Sequence, residues 1–140
     1  MKSFAAALAV GWLVVSAATE PDEKFKTRLA PVPIDIAMQT RIAGSGAASA
    51  TLAGNKLSVS GSFEGLRSPA TDAHLHQGLA TGVRGPAVFD LTVSHATSGT
   101  IAASLDLTPE LVEHLRKGRL YIQINSEKAP EGNLWGWLLK

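Results

Sequence analysis

The chain has 140 residues, 13 Lys and Arg against 12 Asp and Glu, 45 % hydrophobic residues, and no cysteine. That length holds one domain with one core. Near-neutral charge argues against nucleic acid or an anionic membrane as partner, and the lack of cysteine excludes a disulfide, a thiolate nucleophile and lipidation at a cleavage-site cysteine.

Met1-Lys2-Ser3 gives a positive start, residues 4–15 form an apolar run broken only by Gly11, and Ser16-Ala17-Ala18 puts small residues where a signal peptidase reads. Residues 1–18 are therefore expected to be a secretory signal peptide, with Thr19 as the mature N-terminus. The run is shorter than the ~20 residues of a spanning helix and meets Glu20-Pro21-Asp22-Glu23 at once. No stable membrane anchor is expected after cleavage, and the exported destination is periplasmic or extracellular. Residues 19–40 read as a leader, because Pro21, Pro31 and Pro33 interrupt helix and central strand alike. Its charged part, 19–28, is expected to be mobile. Its apolar part, 29–38, is expected to lie extended across a domain spanning 41–140.

Within that domain the dominant period is two. Residues 45–52 alternate, Gly54-Asn55 suits a two-residue hairpin turn, and Leu57, Val59, Gly61 and Phe63 then alternate strictly with Lys56, Ser58, Ser60 and Ser62. Residues 74–77, 88–93 and 100–105 follow, with Phe89, Leu91, Val93, Ile101, Ala103 and Leu105 inward. Gly82-Val83-Arg84-Gly85-Pro86 reads as a rigid turn, since it lacks the ending of a phosphate loop. One short helix is expected after Thr108, with Pro109 at its first position, Leu111 and Leu115 facing the sheets, and Gly118 as its stop. Two last strands cover 120–125 and 133–138. The expected fold is all-β, a single antiparallel Greek-key-like sandwich or barrel with one short helix.

The chemistry-bearing residues are few. His74 and His76 sit two apart on a strand, so both imidazoles share a face. His95 lies in a loop, and His114 sits on the helix at a solvated position. Ser126 has no nucleophile setting around it, so no catalytic residue is assigned. The segments Ala73-His74-Leu75-His76-Gln77-Gly78, Gly118-Arg119-Leu120-Tyr121 and Pro130-Glu131-Gly132-Asn133-Leu134-Trp135-Gly136-Trp137-Leu138, in that order, resemble the CHRD domain family, named for chordin. The likeness runs from about Arg41 to Leu138. It implies a fold similar to the copper–zinc superoxide dismutase sandwich and a three-histidine site whose third position is Asn125 in this chain. An amide oxygen is a poor ligand for copper or zinc, so a metal at His74 and His76 is expected to bind weakly if at all. The face that carries Trp135 and Trp137 is polar in the family. Here it is either covered by the apolar leader or a contact surface for a protein or glycan. The function expected is an exported, non-catalytic binding or structural module without a cofactor. The alternative is a copper- or zinc-binding protein, or a superoxide dismutase-like redox protein, using His74 and His76.

Overall fold

The computed structural model describes residues 21–140. The expected signal peptide and the Thr19 terminus lie outside the described residues. Strand β2 (Ser45–Ala53) and β3 (Lys56–Glu64) turn at Gly54, whose positive φ of 66° suits a hairpin, and pair in register from Ala53↔Lys56 to Ser45↔Glu64. The alternation in β3 is obeyed, with Leu57, Val59 and Phe63 buried and the serines between them on the surface. Strands β4 (Ala70–Gln77), β5 (Ala87–Val93) and β6 (Gly99–Asp106) form a second meander that runs back to place β6 beside β3. Phe63 is 3 % exposed. Phe89 packs against the same core but stays half-buried.

Helix α1 (Pro109–Arg116) then carries the chain across to β7 (Leu120–Ser126), which pairs with β4 and with β8 (Ala129–Trp137). The Thr108 hydroxyl caps α1 by accepting from the Leu111 N–H at 3.2 Å, and Gly118 takes a φ of 71° just past its end. Val112 and Leu115 are the buried residues of the helix. Leu111 is only half-buried, so the docked face is turned slightly from the expected Leu111–Leu115 stripe.

The leader expectation is corrected by an eighth strand. Residues 23–31 are neither mobile nor draped over the outside. They form β1 (Glu23–Pro31), which pairs with β2 along its length and with β8 at Ala30↔Trp135 and Pro31↔Leu134. Lys26 and Leu139 exchange two further backbone hydrogen bonds, at 2.8 and 3.1 Å. The eight antiparallel strands thereby close into a barrel in the order β1-β2-β3-β6-β5-β4-β7-β8, and the folded unit begins well before Arg41. β1 contributes Phe25 and Leu29 to the interior, where they meet Leu57, Leu75, Ile101, Ile122, Leu134 and Leu138. Beyond β1, Val32 packs with Ile42 and Ala129, and Ile36, on a single 3-10 turn, is exposed.

Candidate functional site

On the outer wall of β5, β4, β7 and β8 the register assembles the residues of interest into rows. Asp90, His74, Gln123 and Trp135 lie in one row, His76, Tyr121 and Trp137 in the next, and Asp72 pairs with Asn125 beyond them. His74, His76 and residue 125 therefore share a face on neighbouring strands. Asn125 stands diagonal to His74, whose direct partner is Gln123.

Each histidine has a distinct setting. His74 Nε2 lies 3.2 Å from Asp90 Oδ1 and 3.6 Å from Asp72 Oδ2. Two carboxylates thus orient it. His76 Nδ1 is 2.9 Å from the Gly85 carbonyl, which can only accept, so that nitrogen carries the proton. Its Nε2 is buried and has no hydrogen-bond partner among the described residues. Burial holds the His76 pKa below its ordinary 6.5, the Gly85 carbonyl opposes this, and His74 and Arg84 add to the lowering.

Asn125 is buried and committed to the wall itself. Its amide donates to Asp72 Oδ1 at 3.1 Å, and its carbonyl accepts from Gln123 Nε2 at 3.0 Å. Gln123 also donates to the Glu131 carbonyl at 3.2 Å. Among the described residues no group of three or more His, Asp and Glu side chains is arranged to hold a metal ion. His95 lies in the loop from β5 to β6, whose carbonyls at Ala96 and Thr97 accept from Ala70 and Leu66, and it joins no part of this face. Half-buried His114 stays on α1, with its Nδ1 unpartnered.

Beside the histidines runs a wall of rings. His76 stacks on Tyr121 with centroids 4.8 Å apart, Tyr121 meets Trp137 at 4.3 Å and Trp135 at 5.6 Å, and the two indoles contact edge to face at 5.6 Å. The Arg84 guanidinium lies 5.6 Å from the Trp135 ring centroid. The cover over these rings differs from the one expected. Trp135 packs against the small cluster of Val32, Ile42 and Ala129, whereas Trp137 lies under the loop between β4 and β5. A Cβ at Gly78 would come within 2.8 Å of Trp137 Cη2, and one at Gly85 would overlap the Gln77 carbonyl, so glycine is required at both positions. Both indoles remain half-buried.

The sequence pattern found His74, His76, Trp135 and Trp137 but missed Asp72, Asp90, Tyr121 and Gly85. Asp72 had a usable signal, because it precedes His74 and His76 at the same period of two once β4 is extended back to Ala70. A model of the CHRD domain family matches residues 30–138, from the last turn of β1 to just beyond β8. No curated protein and no solved structure matches the chain.

Proposed function

The chain belongs to the CHRD domain family, and we propose that it is an exported, non-catalytic binding module whose contact face is the ring-lined wall of β4, β7 and β8. The observation that carries this is the cluster of His76, Tyr121, Trp135 and Trp137 with Arg84 against it, on the outside of a barrel whose interior is already filled. Half-exposed indoles beside a guanidinium supply broad apolar contact with a polar edge, a combination that suits a protein loop or a glycan ring. Export rests on the signal-like residues 1–18 and is checked by intact mass, with the mature chain beginning at or near Thr19.

Binding can be read from the face itself. Once Trp12 leaves with the signal peptide, Trp135 and Trp137 are the only tryptophans. Titration of the mature protein against a panel of purified glycans and extracellular-matrix proteins should shift indole emission for at least one of them. Trp135→Ala should then weaken that binding by at least about tenfold, the size of effect expected of a central aromatic contact. A panel that leaves the emission unchanged, or binding indifferent to Trp135, would remove the reading.

A second reading, metal binding, is favoured by the orphaned Nε2 of His76 and by the two carboxylates orienting His74. Copper or zinc would be held by these two imidazoles, weakly. Asn125→His should add a third imidazole on the same face and tighten zinc binding by at least about tenfold in calorimetry, about 1.4 kcal/mol. No gain would end the metal reading.

A further inference from the structure

Across the barrel from β4 lies β2, flanked by β1 and β3. On β1 the outward positions are Lys24, Lys26 and Arg28, all exposed and without an ion-pair partner among the described residues. Alternate side chains on a strand stand about 7 Å apart, so the three cations form a line about 14 Å long. Lysines are common on unpaired edges, where they prevent strand addition. On its β8 side β1 is joined at Lys26, bridged to Leu139, and at Ala30 and Pro31, so edge protection accounts for Lys24 and Arg28 at most and not for Lys26.

The surface beside it is shaped by register. Lys24 neighbours Thr51 and then Ser58, Lys26 neighbours Ser49 and Ser60, and Arg28 neighbours Ala47 and Ser62. These rows hold short side chains, mostly hydroxyls, and no acid. Shallow grooves cross the face, one lined by Lys26, Arg28 and Lys140. The acids Asp72 and Asp90 are on the far side of the barrel, on β4 and β5, and the acids of this face stand at its margins, with Glu64 closing β3, Asp22 preceding β1, Asp106 paired with Lys56 and Glu23 paired with Lys140.

We propose that the β1–β2–β3 face binds a linear anionic polysaccharide, with its carboxylate or sulfate groups on Lys24, Lys26 and Arg28 and its hydroxyls over the serine and threonine rows. This site is separate from the ring-lined wall and independent of the reading given to that wall. Charges spread along a line over shallow, open grooves suit a polymer better than a single small anion. A membrane surface is disfavoured because the large apolar side chain exposed beside these rows among the described residues is the single Leu139, bridged to Lys26, and one leucine is too little to insert.

The test uses the mature protein with dextran sulfate, uncharged dextran of equal length, and vesicles of phosphatidylglycerol and phosphatidylcholine. Dextran sulfate should bind, more weakly as salt is raised, and uncharged dextran should not. The triple variant Lys24→Gln, Lys26→Gln, Arg28→Gln should lose at least about tenfold in affinity, while Lys24→Arg, Lys26→Arg, Arg28→Lys keeps it. A triple of equal charge change elsewhere, Arg41→Gln, Arg67→Gln, Lys128→Gln, should lose less than about twofold. Equal losses in the two neutralised triples would overturn the site. Failure to bind dextran sulfate, or vesicle binding as tight as dextran sulfate binding, would overturn the ligand class.

Discussion

Gly85 shows how much of this protein's surface is set by single hydrogen bonds. The Tyr121 hydroxyl accepts from its N–H and donates to its carbonyl, each at 3.0 Å, and His76 Nδ1 donates to the same carbonyl. Two side chains from neighbouring strands thus pin the loop that covers Trp137. Tyr121→Phe should cost about 1 kcal/mol and speed hydrogen exchange at the Gly85 amide, and an unchanged exchange rate would show that the loop is held elsewhere. His76 adds a pH dependence. Its folded pKa lies below 6.5, so the unfolded chain binds more protons in the window between the two values. The contribution is fully present above pH 6.5 and is lost as the pH falls through the folded value. Stability measured by urea titration should decline on that acid limb, and His76→Gln, which can still donate to Gly85, should flatten the decline. The histidine pair was legible as a shared face because a strand repeats every two residues. Tyr121 and Gly85 were not, because their contact joins positions 36 residues apart, and only the fold sets that contact.

At the scale of elements, β3 and β7 mark two ways in which a period of two can mislead or inform. In β3 the outward residues are serines, one face is wet, and the register could be read directly. In β7 every residue is buried, including Gln123, Asn125 and Ser126. Its polar face is covered by neighbouring rings and by the start of β8, where Gln123 reaches the Glu131 carbonyl. A strand with two buried faces needs its amides satisfied internally, and the Asp72–Asn125–Gln123 chain does so. The inward set is tested by a series in denaturant. Phe63→Ala should cost about 3–5 kcal/mol, Phe89→Ala distinctly less because its ring is half-exposed, and Ser60→Ala within about 0.5 kcal/mol of nothing. Equal costs at Phe63 and Ser60 would mean that β3 is turned over.

The whole molecule depends on a strand that its own sequence conceals. β1 carries only two core residues, Phe25 and Leu29, four apart with half-buried Thr27 between them, inside a charged and proline-flanked stretch. Such a pattern reads as a leader. The prolines are nevertheless compatible with the strand, since Pro21 precedes it and Pro31 ends it. What commits β1 to the barrel is pairing on both sides together with Glu23, which receives Arg116 from the end of α1 at 2.8 Å and Lys140 from the end of the chain at 2.7 Å. These hydrogen bonds lower its pKa to about 2. Removing β1 would expose the edges of β2 and β8 and empty the space of two large side chains. Deleting residues 19–38 from the mature chain should therefore lower the melting temperature, promote self-association through the open edges, and red-shift indole emission as the cluster against which Trp135 packs loses Val32. Deleting residues 19–22 alone should change none of these, because Glu23 and every pair of β1 remain. If the longer deletion stays monomeric with the same emission and melting temperature, β1 is an appendage to a seven-stranded sheet. If it aggregates while the shorter one does not, closure of the barrel by its first strand is what keeps the aromatic wall and the basic face on one rigid body.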